Sequence, residues 1–162
     1  MAKKNGIELR ELSISPGKDD ILYSGNLYVD GIKIAFWKQK GDGISDEITM
    51  EDGFSEKKFF AYLKKYPNFV QELLLLSLDE MQYQEYCSHG YQTMVVATDL
   101  ESNTAQYFAF RDASKMTFSA LVQECKKQLS GNDTSYAFQV YTSPGDFRTK
   151  GRISSAIFSS RL

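Results

Sequence analysis

Hydrophobic and polar positions alternate in the first part of the chain, which predicts β-strands. Residues 7–14 alternate weakly, and the turn-forming segment SPGKDD at residues 15–20 ends that pattern. Residues 21–29 and 32–38 are rich in β-branched and aromatic side chains. The Asp30-Gly31 dipeptide between them can adopt the positive φ angles of a two-residue hairpin turn. The sequence therefore predicts a short first strand followed by a β-hairpin.

Alternation along the second hairpin strand divides its side chains between two faces of the predicted sheet. One face would carry Ile32, Ile34 and Phe36, and the other would carry Lys33, Ala35 and Trp37. We expect one of these faces to lie in the core, with Lys33 close enough to the turn for its charge to reach water.

Three later segments have the apolar spacing of helices. Ser55 can cap a helix that ends before Pro67 and keeps its lysines away from the apolar face. A second helix is predicted over residues 69–86, and its wide leucine-rich stripe indicates burial on more than one side. Residues 117–129 have the spacing of a third amphipathic helix, with Gly131 just beyond its end.

Three further segments predict strands. Residues 93–98 are almost continuously apolar, which is typical of a central strand. Residues 104–111 alternate and follow a turn at residues 99–103, so we expect them to pair with residues 93–98. Residues 136–142 supply the last predicted strand.

The order of these elements predicts an α+β fold. We expect a single domain over residues 1–146, mainly an antiparallel sheet of about five to six strands with three helices packed on one face. Residues 147–162 are rich in serine and arginine and are expected to form a basic C-terminal tail. Ile153, Ile157 and Phe158 of this tail can dock on the body of the domain.

Composition narrows the class of protein. The 162 residues are 42% hydrophobic and 25% charged, which matches soluble globular domains and argues against disorder. The formal net charge of −2 argues against a general nucleic-acid binder. The sequence contains neither a signal-peptide core nor an apolar run of about 18 residues, so we expect a cytoplasmic protein with no membrane contact.

An acidic segment is the strongest candidate for a recognition surface. Residues 41–53 carry five carboxylates, no basic residue and three glycines, which predicts a mostly irregular loop. The carboxylates belong to Asp42, Asp46, Glu47, Glu51 and Asp52. Their spacing does not match an EF-hand, so a solvated loop facing a basic protein partner is preferred to a metal site, and no cofactor is expected.

Trp37 is included in this predicted partner surface. Together with Tyr23, Tyr28 and Phe36 it can form an aromatic platform on the hairpin. The alternative is that these aromatic side chains pack in the core, which is their more frequent role.

Cys87 and His89 are the candidates for a ligand or catalytic site. His89 is the single histidine and could act as a general base or a ligand. Nothing in the spacing supplies an orienting acid or a nucleophile, so no catalytic residue is assigned. An enzyme or small-ligand site remains an alternative only if folding gathers these two residues with dispersed groups such as Asp99 and Arg111.

Two further surfaces follow from charge and hydrophobicity. The tail carries four basic and no acidic residues from Arg148 onward, so Arg148, Lys150 and Arg152 are candidate nucleic-acid contacts. The leucine-rich helix at residues 69–86 could instead be a homodimer interface, since an apolar arc of this width can exceed what one sheet face covers.

The stretch LYVDGIKIAFWKQKGDG at residues 27–43 resembles a motif of uncharacterised small bacteriophage and mobile-element proteins. There a strand ending in V-D-G-K-K-V precedes a second strand and a glycine-rich N-D-G-x-G-G loop. Asp30-Gly31 and the GDG at residues 41–43 fit that outline, whereas Lys40 replaces the Asn and the closing Gly-Gly is missing. The resemblance implies a phage setting, and therefore the host cytoplasm, but no activity.

These observations favour a small non-enzymatic binding protein that acts through protein–protein contacts. A phage-encoded accessory or inhibitor factor is the form that the resemblance suggests. A site assembled from dispersed residues and nucleic-acid binding through the tail are the two alternatives.

Overall fold

The structure is a computed structural model that describes residues 1–17, 21–39, 46–129, 135–148 and 153–161. The predicted α+β class is confirmed, with antiparallel strands and three helices. The strands form two sheets, one of five strands and one of three. The chain divides into two compact units, Met1–Ser77 with Arg148–Leu162, and Leu78–Phe147. The prediction of one domain over residues 1–146 with a separate tail stays a prediction.

The first sheet has the strand order β1-β2-β3-β4-β5, and every neighbouring pair is antiparallel. Its strands are β1 (Lys3–Lys4), β2 (Ile7–Pro16), β3 (Ile21–Val29), β4 (Ile32–Gln39) and β5 (Asp46–Met50). The predicted hairpin is confirmed between β3 and β4. Asp30 and Gly31 have φ angles of 51° and 75°, as a two-residue turn requires.

The prediction that the side chains of β4 simply alternate between two faces is wrong, because the pairing of β3 with β4 shifts register between Leu27 and Tyr28. Leu27 pairs with Ala35 and Tyr28 pairs with Lys33, so Ile34 is an extra residue in β4. Residues from both predicted faces are therefore buried. Ile34, Ala35 and Trp37 lie in the core, whereas Ile32 is 49% exposed.

The predicted irregular loop is also wrong in part. Asp46–Met50 forms β5, which pairs with β4 from Ala35 opposite Met50 to Gln39 opposite Asp46. Low strand propensity of acidic residues is outweighed here by pairing with β4. Residues 40–45 of the predicted loop lie outside the described residues.

Helix α1 (Glu56–Lys65) confirms the predicted cap, since the Ser55 hydroxyl accepts a hydrogen bond from the Lys58 N–H. Helix α2 (Phe69–Ser88) follows, and its first nine residues belong to the first unit. Phe59, Leu73 and Leu74 of these helices are buried and contribute to the core of this unit.

The end of the chain docks on the first unit, as expected. Phe158, in a 3₁₀ turn over Ser155–Phe158, is 1% exposed, and its ring packs edge-on against Phe59 and Tyr62. The Phe158 carbonyl accepts a hydrogen bond from Ser55 N–H, and Ser160 N–H donates to the Gly53 carbonyl. Ile157 remains 45% exposed.

The second unit is built on a three-stranded antiparallel sheet in the order β7-β6-β8. Its strands are β6 (Thr93–Asp99), β7 (Ala105–Phe110) and β8 (Tyr136–Tyr141), so the predicted central position of β6 is confirmed. Helix α3 (Phe118–Gln128), capped by Thr117, packs Leu121 and Cys125 against Val95. No helix in the described part of the chain is long and apolar enough to cross a membrane.

Candidate functional site

The five-residue strand β5 forms one edge of the first sheet. Its neighbour is β4, and no other described strand pairs with its outer side. The opposite edge differs, because β1 has two residues and Lys3 forms a bridge with Arg148. In the described part of the chain β2 is also unpaired on that side beyond Glu8, but it carries a register shift and ends in Pro16, whereas β5 pairs with β4 in regular register along its whole length.

Alternation of ladder hydrogen bonds shows which backbone groups of β5 point outward. Glu51 N–H donates to the Ile34 carbonyl at 2.9 Å, and each step along β5 reverses the direction of the backbone groups. Thr49 and Glu47 therefore direct their N–H and C=O groups at β4. Those of Met50, Ile48 and Asp46 face the outer edge.

Side chains of β5 divide between the two faces of the sheet. Ile48 lies opposite the buried Trp37 and is half-buried, as is Met50 opposite the buried Ala35. Glu47 and Thr49 are exposed on the other face. An extended segment lying along this edge would thus meet apolar side chains on one face and polar or acidic ones on the other.

Two of the predicted acidic residues pair with lysines of β4. Lys38 Nζ lies 3.5 Å from Glu47 Oε2, and Lys33 Nζ lies 2.9 Å from Glu51 Oε1. The hydrogen bond to Glu51 raises the pKa of Lys33, against a smaller opposing effect of desolvation. All four side chains remain between 37% and 49% exposed, so these pairs leave the acids in contact with solvent.

The remaining predicted acids carry the unpaired charge of the segment. Asp46 is exposed at the start of β5 and Asp52 is exposed just beyond its end. Neither forms an ion pair with any residue that the structure describes. Asp42 lies outside the described residues. The structure thus brings Asp46, Glu47, Glu51 and Asp52 to one strand and its C-terminal end.

Trp37 occupies the core, which was the alternative to an aromatic platform. It is 1% exposed, so its ring cannot be reached from the surface of the folded unit. Its indole Nε1 is buried without a hydrogen-bond partner among the described atoms.

The face of the first sheet that carries Glu47 and Thr49 also carries a polar network on β2 and β3. The Glu11 carboxylate accepts hydrogen bonds from Asn26 Nδ2 at 3.1 Å and from the Tyr28 hydroxyl at 3.4 Å. The Arg10 guanidinium lies 4.4 Å from the Tyr28 ring centroid and donates to Glu8. Glu11 has φ of 51° at the shift in register between β2 and β3. This network was not predicted from the sequence.

A cavity of about 450 Å³ opens at the end of the sheet where β5 begins. It is lined by Ser15, Leu22, Tyr23, Ser24, Lys38, Gln39 and Glu47. Glu47 therefore borders both the outer edge of β5 and a concave surface, where a side chain of a bound protein could be accommodated.

Cys87 and His89 lie at the exposed C-terminal end of α2. His89 Nε2 is 3.0 Å from Glu85 Oε1, and both side chains are about two-thirds exposed, at 64% and 66%. Arg111 reaches the same end of the second unit, since its guanidinium stacks 4.2 Å above Tyr91. Gly90, beside this guanidinium, has a φ of 86°, a backbone conformation that favours glycine.

Asp99 is not gathered with this group. Asp99 is the last residue of β6, whereas the His89 turn lies just before the first residue of that strand. The two ends of this seven-residue strand are about 20 Å apart. The Asp99 carboxylate instead accepts hydrogen bonds from the N–H groups of Glu101 and Ser102, which lower its pKa. The dispersed site that would support an enzyme is therefore not assembled from these four residues.

The basic tail and the leucine-rich helix are placed only in part. Arg148 is exposed, whereas Lys150 and Arg152 lie outside the described residues. In α2, Leu73 and Leu74 are buried within the first unit and Leu75 is 50% exposed. Homodimerisation through this helix stays a prediction.

A polar cluster around Asp79 was missed by the sequence analysis. The Asp79 carboxylate accepts hydrogen bonds from the hydroxyls of Tyr107 at 2.8 Å and Tyr141 at 3.3 Å. Desolvation raises the pKa of Asp79 although both hydrogen bonds act in the opposite direction. The two tyrosines lie 28 and 62 residues away in the sequence, so no local pattern could have indicated this cluster.

The described residues contain no group of three or more His, Cys, Asp or Glu side chains placed to hold a metal ion. Comparison with protein-family models, curated proteins and solved structures found no significant match to the chain. The resemblance to phage proteins stays a prediction.

Proposed function

We propose that this protein is a binding module that recognises another protein through an acidic strand edge. The surface consists of β5 with the flanking Glu51 and Asp52, and we call it the acidic edge. The observation that carries the proposal is that a sheet edge with outward backbone groups coincides with four carboxylates. Edge strands are common sites of protein–protein contact, because their backbone groups need partners.

The charge of the acidic edge favours a basic partner. Exposed carboxylates attract a positively charged surface over a Debye length of about 8 Å at physiological ionic strength. Such charges increase the association rate and exclude acidic competitors more than they increase affinity. Lys33 and Lys38 offset part of this charge, but they lie on β4, one strand inside the edge.

Affinity capture with the full chain tests this proposal. One variant combines Asp46→Asn, Glu47→Gln, Glu51→Gln and Asp52→Asn. The matched control combines Glu85→Gln, Glu101→Gln, Asp112→Asn and Glu124→Gln, which removes the same charge. Both sets include two acids in ion pairs and two without a described ion pair.

We expect the acidic-edge variant to lose a partner that the natural chain and the control variant both capture. Capture should also weaken as salt is raised, because the contributing charges are exposed. Equal capture by all three proteins would contradict the proposal. Circular dichroism of each variant establishes that the fold is retained.

A further inference from the structure

We infer that the acidic edge binds its partner by strand addition: an extended segment with alternating basic and apolar residues pairs with the outer side of β5. This inference rests on the proposed function and specifies how the partner is bound. Backbone hydrogen bonds would supply affinity, and side chains on the two faces would supply specificity.

The backbone of β5 is arranged for such pairing. Asp46, Ile48 and Met50 direct N–H and C=O groups away from β4, as the Glu51-to-Ile34 hydrogen bond establishes. Five residues match the usual length of a strand. Among the described residues, the chain's own C-terminal segment pairs only beyond this strand, where Ser159 forms a bridge with Phe54 and Ser160 N–H donates to the Gly53 carbonyl. In the described residues, β5 itself is left available.

Each face of β5 determines which type of side chain the added segment should place beside it. A residue beside Glu47 or Thr49 would lie on the exposed face, where a lysine or arginine could pair with Glu47. A residue beside Ile48 or Met50 would lie on the face that holds Trp37 and Ala35, where an apolar side chain would extend the buried surface. Alternation of the two types matches the period of a strand.

Charge selects such a segment over a second copy of this chain. Pairing two β5 edges would bring Asp46 and Glu47 of one copy beside the acidic end of the other. Like charges across strands are destabilising, so self-pairing lacks the complementarity that a basic segment offers.

Amide hydrogen exchange of the full ¹⁵N-labelled chain tests the inference with two peptides of equal charge. The probe is acetyl-TKVKVKT-amide, which can form an added strand. The control is acetyl-TKPKPKT-amide, whose prolines lack the N–H groups that a ladder needs. At about ten times its Kd, a bound probe should slow exchange of the Ile48 and Met50 amides about tenfold. The Thr49 amide, already bonded to β4, should change little.

Three outcomes would overturn the inference. Equal binding of both peptides without slowed exchange at Ile48 would indicate recognition by charge alone, and the proposed function would stand. Binding of neither peptide would remove strand addition by basic segments, while the capture experiment would still decide the proposed function. Protection of Ile48 that depends on protein concentration without peptide would identify a second copy as the occupant.

Discussion

Two acidic side chains of the first unit and two of the second unit lie in opposite settings. In the first unit, Glu47 and Glu51 lie at an exposed sheet edge and pair with lysines across one strand. In the second unit, Asp79 and Asp146 accept several hydrogen bonds from their own unit. Exposed ion pairs contribute about 0–1 kcal/mol, whereas hydrogen bonds to charged groups contribute about 1.5–3 kcal/mol each. The first set of acids is therefore expected to contribute little to stability, and the second set more.

The second unit also shows how differently the pKa values of two hydrogen-bonded carboxylates can shift. Asp79 sits among tyrosine rings, and desolvation raises its pKa despite two hydroxyl donors. Desolvation acts in the same direction on Asp146, but hydrogen bonds from the N–H and hydroxyl groups of Thr142 and Ser143 together outweigh it and lower the pKa. Tyr141, which contacts Asp79 and stacks on Phe147, has a raised pKa through desolvation. Asp146 is exposed and accepts four hydrogen bonds, whereas Asp79 is half-buried and accepts two, which accounts for the opposite directions of their pKa values.

The largest change in the free energy of unfolding should come from loss of apolar packing in the first unit. The charges at its sheet edge contribute little to stability. Phe158→Ala removes a buried ring that contacts Phe59 and Tyr62, and should lower the free energy of unfolding by about 3–5 kcal/mol. Urea unfolding followed by circular dichroism measures this change. Ile157→Ala, at a residue 45% exposed, is the control and should have a small effect. Similar values for the two variants would show that the C-terminal segment does not contribute to the core.

The next largest change in the free energy of unfolding should come from removal of the Asp79 carboxylate in the second unit. Asp79→Ala leaves the hydroxyls of Tyr107 and Tyr141 without this acceptor and should lower the free energy of unfolding by about 2–3 kcal/mol. The control is Asp112→Ala, which removes an exposed carboxylate and should change stability by less than about 0.5 kcal/mol. If Asp79→Ala lowered the free energy of unfolding no more than Asp112→Ala does, the contrast between the two sets of acids would be contradicted.

The pH dependence of stability should have opposite signs for Asp79 and Asp99. The pKa of Asp79 is raised on folding, so its contribution is most favourable below the unfolded pKa and declines as pH rises through the folded pKa. The pKa of Asp99 is lowered, so its contribution is present above the unfolded pKa and is lost as pH falls through the folded pKa.

Unfolding of the natural chain, Asp79→Asn and Asp99→Asn between about pH 3 and pH 7 measures both slopes. The stability advantage of the natural chain over Asp79→Asn should shrink as pH rises. Its advantage over Asp99→Asn should grow. Slopes of the same sign would mean that desolvation does not dominate at Asp79.

Local sequence chemistry was sufficient to predict the elements that depend on neighbouring residues. The Asp30-Gly31 turn and the Ser55 cap are confirmed because their geometry is set within four residues. The shift that buries Ile34 and Ala35 together could not be predicted in this way. It arises from how β4 pairs with β3, which is a property of two strands.

The acidic composition of the candidate site was predicted from the sequence, but its secondary structure was not. A run of carboxylates indicated a loop, yet Asp46–Met50 is a strand because β4 offers backbone partners and places Lys38 opposite Glu47. The division of the strands between two sheets likewise depends on pairing between distant segments. Sequence patterns identified the charge, and only the pairing revealed that this charge lies along an edge.

The smallest expected effect is the one on which the comparison of the two units most depends. A double-mutant cycle of Lys38→Ala and Glu47→Ala should give a coupling free energy of about 0.2–1 kcal/mol, because both side chains are nearly half exposed. Urea unfolding of the four proteins in low and high salt provides the measurement, and salt should reduce the coupling further. A cycle of Asp79→Ala with Tyr107→Phe is the matched measurement in the second unit and should give a larger, less salt-sensitive value. If the Lys38–Glu47 coupling equalled that of Asp79 with Tyr107, the acidic edge would be committed to stability, and the reason for assigning it to recognition would be lost.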